Sequence, residues 1–512
     1  MNHRIILLAL IFALLVTGTS FFALSEEVSP TVPAAEQTAT PQASEPAAAD
    51  IVTTKHTAHI QGKELAYTAD TGTMVLETGG KTCEIFFVAY TLDDVEDPSA
   101  RPVTFAFNGG PGACSKYIHV GCLGPRRIDV DENGYISSLP AGIQDNENSL
   151  LDLTDIVIID AVGTGYSRAV GDSEDSDFWG YANDARTMGD FIYQYVNRYH
   201  RFSSQKYVAG ESYGTTRAVA VCQYLADTYS MNLNGLVLIS SVHNFSALLE
   251  LDGNETPYAL YIPTYAADAW YHGLVAEAYR DMSLEDYLEQ VRSFVEHEYV
   301  PALFIGSGLS KEEKDALAQK MSDYIGLSKE YIYSLNLRVT LEDFCLELLK
   351  DKNLMVGRYD GRITGPITSG SLDNGTSDPS DAAFELGFGN TYIDYLQNEL
   401  GYRTDRPYIS SNSAANDSWT FPIGGWGGFL SQERTIYELI SKNHFLKIWV
   451  LCGYYDGATP FYSAEWTYRH LFLNEESEGN LSFTYYPCGH MIYMEKDAFD
   501  KFRRDAEAWY GQ

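Results

Sequence analysis

The stretch that decides the fold class is residues 206–229, KYVAGESYGTTRAVAVCQYLADTY. Its first four residues form a short run typical of a buried strand, a turn is predicted at Gly210, and residues 215–229 have helical character. Upstream, residues 188–199 place their apolar side chains on one face of a helix. Downstream, residues 235–239 (GLVLI) form another apolar run. This alternation of helices and strands predicts a parallel α/β sheet.

Further strands of the same kind lie on both sides of this stretch. Residues 103–107 (VTFAF) and 155–160 (DIVIID) are short apolar runs with glycine after them, as buried parallel strands are. Residues 445–451 and 481–486 resume the strand pattern near the C-terminal end. We therefore expect one α/β core that is assembled from both ends of the folded region.

The pattern changes between these strands, where helical and charged segments dominate. An insertion that interrupts one α/β domain explains this change better than three separate domains. The predicted core therefore comprises residues 51–243 and 409–512, and the predicted cap, or lid, comprises residues 244–408. We expect the cap to cover the cleft, because lids on such sheets lie above the carboxyl ends of the strands.

Residues 1–24 have the pattern of a secretory signal peptide: a positive residue, a short apolar run, then small and polar residues. The alternative is an uncleaved anchor, since residues 5–24 are nearly long enough to span a bilayer. Residues 25–50 are rich in Pro and Ala and lack aromatic and basic residues, so we predict a disordered linker. The expected location is secreted or extracytoplasmic, with attachment to a membrane through the N-terminus as the alternative.

The charge balance excludes several classes of partner. The 512 residues include 35 Lys plus Arg against 70 Asp plus Glu, a formal net charge of −35. Such a field repels phosphate backbones and anionic bilayers, so we expect no nucleic acid and no membrane contact apart from the N-terminal segment. The seven cysteines allow two interpretations: small buried hydrophobic residues, or one or two disulfides whose pairing cannot be assigned.

Two motifs resemble nucleotide-binding signatures but lack a required glycine. GKT (80–82) looks like the end of a phosphate loop, but Val75 stands where the first glycine is needed. GTG (163–165) follows a strand, but Arg168 replaces the third glycine of the dinucleotide-binding pattern. The sequence also has no HExxH motif. We therefore predict no cofactor and no metal.

GESYG (210–214) is the only GxSxG motif in the chain. It lies between a predicted strand and a predicted helix, where a nucleophile elbow must lie, and its glycines permit the tight turn that exposes Ser212. A serine nucleophile needs a base, and the base needs an orienting acid, in the chain order Ser, Asp, His for this architecture. Asp456 and His490 follow predicted strands in that order. The three residues predict a catalytic triad.

An oxyanion hole requires backbone N–H groups that face the developing negative charge. One should come from the residue after the nucleophile, Tyr213. The other should come from a glycine-rich turn after an early strand, and NGGPG (108–112) follows the predicted strand 103–107. The residues therefore predict an acyl hydrolase that carries its own oxyanion hole.

At this point the sequence resembles the serine carboxypeptidase family of α/β-hydrolases, and its details resemble the bacterial members. The matching motifs occur in order over about residues 70 to 500: FNGGPGACS (107–115), LGP (123–125), DAVGTGYS (160–167), GESYG (210–214), GYYDGATP (453–460) and CGHM (488–491). The resemblance implies an α/β-hydrolase fold with a mostly parallel central sheet, flanking helices and an inserted, mainly helical cap. It also implies a secreted serine-type carboxypeptidase that releases C-terminal amino acids from peptides through an acyl-enzyme intermediate.

The resemblance further implies a role for each motif residue. Ser212 would be the nucleophile, His490 the general base and then acid, and Asp456 the residue that orients it. Gly110 and Tyr213 would donate the N–H groups of the oxyanion hole. Asn108 and Glu211 would hold the free carboxylate of the substrate, for which the Glu must be protonated. The implied partners are therefore peptides with a free C-terminus. The sequence does not indicate whether the protein is a monomer or an oligomer.

The sequence departs from the family at two positions of the carboxylate-binding network. Ala106 stands where well-studied members have Trp, and Cys122 stands where they have a second Glu. The missing acid weakens the reason for a raised pKa at Glu211, so strict exopeptidase specificity and an acidic optimum do not follow from the resemblance. An esterase or acyltransferase with the same triad is the alternative enzyme. A non-catalytic binding module is the third interpretation, against which the intact triad argues.

Overall fold

A central ten-stranded sheet organises the protein in a computed structural model, which describes residues 51–136, 138–367, 378–422 and 428–511. The predicted signal peptide and linker, residues 1–50, lie outside the described residues. The strands are β1 (Ile51–Ile60), β2 (Lys63–Thr78), β3 (Lys81–Leu92), β4 (Val103–Phe107), β5 (Arg126–Ile128), β6 (Ile143–Asp145), β7 (Asp155–Ile159), β8 (Arg168–Ala169), β9 (Lys206–Glu211), β10 (Gly235–Ile239), β11 (Leu354–Val356), β12 (Thr364–Pro366), β13 (Lys447–Gly453) and β14 (Leu481–Tyr486).

The sheet has an antiparallel part and a parallel part. Its strand order is β1-β2-β3-β7-β4-β9-β10-β13-β14, with the short β8 paired to β3. The strands β1, β2, β3 and β7 pair antiparallel to one another along that path. From β7 to β14 every pairing is parallel. The ends of β9, β10, β13 and β14 therefore lie side by side at one edge, where a ligand-binding crevice is expected.

The helices that cover the sheet divide the core into two layers. Along β4, Phe105 and Phe107 pack into one cluster with Phe191 and Val219, while Ala106 faces the other cluster. Alternating side chains of a strand point to opposite faces, so a strand buried on both sides needs apolar residues throughout. The five residues of β4 are accordingly all buried. This two-sided burial explains the unbroken apolar runs in the sequence.

The described helices flank the sheet and fill the chain between β10 and β13. The α-helices are α1 (Tyr181–Arg198), α2 (Tyr213–Tyr229), α3 (Thr256–Tyr271), α4 (Leu284–Phe294), α5 (Val300–Ile305), α6 (Lys311–Ile325), α7 (Lys329–Ser334), α8 (Leu341–Glu347), α9 (Pro379–Asp394), α10 (Ser413–Asp417), α11 (Glu433–Lys442), α12 (Phe461–Arg469), α13 (Glu475–Glu478) and α14 (Lys496–Tyr510). Helices α3 to α11 and the hairpin of β11 and β12 separate β10 from β13. The predicted α/β architecture is therefore confirmed.

The predicted turn at Gly210 was wrong by two residues. Strand β9 continues through Gly210 and Glu211, because these residues still pair with Leu238 and Ile239 of the neighbouring β10. Helix α2 accordingly begins at Tyr213 rather than at residue 215. The tertiary pairing decides the end of the strand, and it places the turn on Ser212 itself.

All seven cysteines are free and buried. They belong to the apolar core, as the first of the two interpretations predicted, and burial raises the pKa of the Cys222 thiol to about 12. Within the described residues, none of the helices combines the length and the apolar character that crossing a membrane requires.

Candidate active site

Ser212 occupies a strained turn between β9 and α2. Its backbone has φ 59° and ψ −132°, a conformation that residues with side chains rarely adopt. A Cβ at Gly210 would lie 2.1 Å from the carbonyl oxygen of Gly214, and a Cβ at Gly214 would lie 2.9 Å from that of Phe107. Only glycine fits at both positions. The turn therefore has the geometry of a nucleophile elbow, with Ser212 partly exposed at the start of α2.

Asp456 and His490 follow the adjacent strands β13 and β14 and meet there. The Nδ1 of His490 lies 2.8 Å from Oδ2 of Asp456, and the buried carboxylate also accepts hydrogen bonds from the Thr459 hydroxyl and from the N–H groups of Ala458 and Thr459. These bonds hold the carboxylate in place. When Nδ1 carries the proton, Nε2 is left free to accept a proton from a nucleophile.

Strand β10 links the elbow to the histidine. The N–H of Ser212 donates to the carbonyl of Ile239, 3.0 Å away, at the end of β10. The next residue, Ser240, donates its hydroxyl to the carbonyl of His490 over 2.6 Å. The pairing of β9, β10, β13 and β14 thus brings the three predicted triad residues to one edge of the sheet.

The protonation of His490 is set by two opposing effects. Burial works to lower the pKa of its imidazole, but the charge of Asp456 and the hydrogen bond to it leave that pKa above the ordinary value. The ionised form of Glu211 acts in the same direction as Asp456. An imidazole that gains stability as a cation is suited to take a proton during a reaction and return it.

The NGGPG loop packs against the elbow at its backbone. A Cβ at Gly109 would lie 2.5 Å from the amide nitrogen of Tyr213. The N–H of Tyr213 is one of the two predicted oxyanion-hole donors. Gly110, the other predicted donor, has φ +103°, a conformation that favours glycine. Buried Arg217 fixes the loop, since its guanidinium donates to the carbonyl of Asn108 and to the carboxylate of Asp184. The two predicted donor segments are therefore held side by side.

Glu211 is buried beside the triad and carries a raised pKa. Burial raises the pKa of its carboxyl to about 7, although the nearby His490 and hydrogen bonds from Tyr493 and Asn108 work in the opposite direction. The Tyr493 hydroxyl lies 2.7 Å from Oε2. Because Oδ1 of Asn108 accepts the N–H of Ile118, its NH₂ group is the part available to Glu211. The two predicted carboxylate-binding residues are thus brought together.

Of the two departures from the family, Cys122 lies near this carboxyl. Ala106 is fully buried in β4. Burial, and after it the charge of the nearby Glu211, raises the pKa of the Cys122 thiol well above the ordinary value. The neutral thiol supplies no second acid. The pKa of Glu211 is nevertheless raised without a partner acid, because burial is the largest effect on this carboxyl.

Sequence reasoning missed several residues at the site. Tyr493 lies three positions after His490, but an isolated tyrosine carries no motif that would single it out. Thr459 lies within the quoted GYYDGATP motif without an assigned role. From the hairpin between β11 and β12, Tyr359 accepts the N–H of His490 over 2.7 Å and places its ring 5.2 Å from the imidazole. No sequence signal connects residue 359 with residue 490, because only the folded chain places them together.

Comparison with solved structures shows the α/β-hydrolase fold. A prohormone-processing carboxypeptidase from Saccharomyces cerevisiae, Kex1Δp, superposes with a TM-score of 0.55 at 16% identity, over 86% of this chain and 92% of that one. A proline iminopeptidase from Mycobacterium smegmatis gives a TM-score of 0.35 at 14% identity, over 86% and 98%. A thermostable carboxyl esterase from Bacillus coagulans gives 0.35 at 12% identity, over 86% and 97%.

The sequence comparisons identify the family. No curated protein sequence matches the chain. Residues 67–345, more than half of the chain, match the sequence model of the serine carboxypeptidase family, and this span includes the NGGPG loop and the elbow at Ser212. The chain therefore belongs to the serine carboxypeptidase family and is a hydrolase of the serine carboxypeptidase type.

Proposed function

We propose that this protein is an exported exopeptidase that releases the C-terminal amino acid of peptides through an acyl-enzyme on Ser212. The observation that carries the proposal is the buried Glu211, with its pKa of about 7, directly before the nucleophile and beside Asn108. A protonated carboxyl can donate a hydrogen bond to a substrate carboxylate. An enzyme that acts only on neutral esters has no need of such a group.

The proposed reaction uses the triad in two steps, formation and hydrolysis of the acyl-enzyme. His490 takes the proton of Ser212 as the hydroxyl attacks the last peptide carbonyl, and the N–H groups of Gly110 and Tyr213 stabilise the oxyanion. The C–N bond then breaks, and His490 returns the proton to the amine of the departing amino acid. A water molecule, deprotonated by His490, attacks the acyl ester and restores Ser212. Asp456 orients the imidazole and stabilises its cationic form.

The pH dependence of peptide cleavage follows from these two groups. His490 must be neutral to act as base, so activity should fall as the pH drops below its raised pKa. Glu211 must be protonated to donate to the substrate carboxylate, so binding should weaken as the pH rises through about 7. The charges of the two groups interact, so the pH–activity profile should be bell-shaped. Its two apparent pKa values describe the pair of groups and not either residue alone.

The test compares an N-blocked dipeptide with its C-terminal amide between about pH 5 and 9. The free acid should be cleaved along a bell-shaped profile, and the amide should be cleaved poorly, without loss above pH 7. Ser212→Ala should lose about 10⁴-fold or more in kcat and no longer react with a fluorophosphonate probe. The exposed Ser441→Ala serves as a matched control. Equal cleavage of acid and amide would overturn the exopeptidase proposal.

Acyl transfer is a second candidate function. Ala106 and Cys122 replace two residues, a Trp and a Glu, with which other family members bind the substrate carboxylate. If the acyl-enzyme is intercepted by alcohols or amines in preference to water, the added acceptor should divert most of the product from acid to ester or amide. Product analysis with and without acceptor measures that partition. Diversion of only a small fraction would favour the hydrolase.

Export is proposed from residues 1–24 alone. Cleavage of this signal should give a mature chain whose N-terminus lies in the linker, residues 25–50. Sequencing of the N-terminus of protein recovered outside the cytoplasm checks this proposal, and recovery of the intact chain in a membrane fraction would indicate the anchor instead.

A further inference from the structure

The hairpin of β11 and β12 carries a loop, residues 357–363, that borders the active site. Besides the contacts of Tyr359 with His490, the loop is tied to the chain before the histidine: Asp360 accepts the N–H of Gly489 over 3.2 Å, and Arg362 donates to the carbonyl of Pro487 over 2.8 Å. An ion pair of 2.7 Å joins Arg362 to Asp360. The loop is therefore fixed against the catalytic histidine.

Arg358 in this loop presents a cation without a bonded partner. Its side chain is exposed, and its guanidinium lies 5.1 Å from the centre of the Tyr359 ring. Within residues 51–136, 138–367, 378–422 and 428–511, its guanidinium forms no ion pair and no hydrogen bond, whereas Arg362, four residues later, has both. Guanidinium remains charged at every pH of interest and offers five donors.

Two of the three carboxylates near Arg358 are bonded to other groups. Asp378, Asp381 and Asp456 all interact with its charge. Asp378 caps α9, where one oxygen accepts from Ser380 and from the backbone N–H of Arg358, and Asp456 is bonded to His490. These charges moderate the field of Arg358 but leave its N–H donors free for a ligand.

The position of the loop indicates which part of a substrate it meets. Helix α9 begins beside Arg358 and reaches the NGGPG side of the cleft through Glu385, which pairs with buried Lys116 over 2.7 Å. The loop and α9 thus border the space between His490 and the chain that carries Asn108. In the proposed reaction His490 protonates the leaving amine, and Asn108 and Glu211 hold the free carboxylate. The side chain of the departing residue must therefore lie between His490 and the pair of Asn108 and Glu211.

We infer that Arg358 forms a subsite for an acidic side chain, so that the enzyme prefers peptides ending in glutamate or aspartate. This inference rests on the proposed function and names the substrate class for the same site. A guanidinium pairs with a carboxylate in a two-pronged geometry that an uncharged amide cannot match. Glutamate and glutamine have the same shape, so the charge alone distinguishes them.

The test measures kcat/KM of the full chain at pH 6.5 on N-blocked dipeptides that end in Glu, Gln or Leu, with a Lys peptide added for the charge-reversed variant. Wild type should cleave the Glu peptide at least about tenfold faster than the Gln peptide, as hydrogen bonds to charged groups allow. Arg358→Gln should bring the Glu to Gln ratio close to one. Arg358→Glu should turn the preference toward a C-terminal Lys. The exposed Arg434→Gln is the matched control and should leave the ratio unchanged.

Each other outcome is decisive. Equal rates on Glu and Gln in wild type overturn the subsite while leaving the carboxypeptidase proposal in place. An equal loss on all three peptides in Arg358→Gln assigns the residue a structural role and overturns it as well. Failure of wild type to cleave any of the peptides, with Ser212 still reactive toward the fluorophosphonate, overturns the proposed function and the subsite together.

Discussion

The carboxyl of Glu211 has a raised pKa although the second acid found in the family is absent. A buried carboxylate loses its hydration, and the neutral form is favoured unless charges or hydrogen bonds compensate. Here the hydrogen bonds from Asn108 and Tyr493 compensate only in part, and the pKa stays near 7. Burial replaces the second acid that Cys122 no longer supplies.

Tyr493 should therefore tune the alkaline limb of the pH profile. Its hydroxyl donates to Glu211 and lowers the pKa of that carboxyl, so Tyr493→Phe should raise the pKa above about 7. Protonated Glu211 would then persist to higher pH, and the alkaline limb of kcat/KM for a free-acid peptide should move upward by about half a unit or more. KM should also rise severalfold, because one anchor of the carboxyl is lost.

The variant Tyr510→Phe, which removes the hydroxyl of a half-buried tyrosine bonded to Thr104, is a suitable control. It should leave both limbs in place. A downward shift of the alkaline limb in Tyr493→Phe, or an identical shift with an ester substrate that lacks a free carboxylate, would contradict the assigned role of the tyrosine.

At the scale of elements, the proposed oxyanion hole depends on the close approach of the NGGPG loop to the start of α2. Gly109→Ala would place a Cβ 2.5 Å from the amide nitrogen of Tyr213 and 2.6 Å from that of Gly214. Backbone cannot yield as a flexible side chain can, so the loop should move away and displace the oxyanion-hole donors. We expect kcat to fall about 10²-fold or more, with a smaller change in KM.

Gly389→Ala in α9 is the matched control, since apart from its chain neighbours and the backbone of its own helix, no atom of the described residues lies within 4 Å of its added Cβ. It should keep full activity and leave stability unchanged or slightly higher, because alanine favours a helix over glycine. Steady-state kinetics and thermal unfolding of both variants check the expectation. Unchanged kcat in Gly109→Ala would show that the loop does not set the oxyanion hole.

At the scale of the whole molecule, the net charge of −35 includes carboxyls that the fold has buried. Partial burial raises the pKa of Glu250, between β10 and α3, to about 7, and its Oε1 accepts the N–H of Leu341 over 2.9 Å. A carboxyl with a raised folded-state pKa stabilises the fold fully below its unfolded pKa, near 4.5. That stability is lost as the pH rises through about 7.

Glu250→Gln should consequently stabilise the protein at pH 8 and not at pH 5. The neutral amide keeps an acceptor for Leu341 and avoids the buried charge, so we expect a gain in the free energy of unfolding of about 1–2 kcal/mol at pH 8. Denaturant unfolding at both pH values measures it. Glu289→Gln, at an exposed glutamate, should show no such difference between pH values. A gain for Glu250→Gln that is the same at pH 5 and pH 8 would refute the explanation.

The sequence alone determined the elements and residues that depend on local pattern. The apolar runs at residues 103–107 and 235–239 became strands with those bounds, because strands buried on both faces require unbroken apolar stretches. The glycines around Ser212 predicted the elbow, because a backbone with so little free space admits no side chain. Such requirements act within a few consecutive residues, so the sequence alone can predict them.

The tertiary structure decided everything that depends on residues distant in the sequence. The pairing of β9 with β10 extended the strand to Glu211, the packing of buried groups set the pKa of that residue, and the hairpin of β11 and β12 brought Arg358 and Tyr359 to His490. Hydration, electric field and contact depend on the summed surroundings of an atom. Only the folded chain brings those surroundings together, so no local motif could have predicted them.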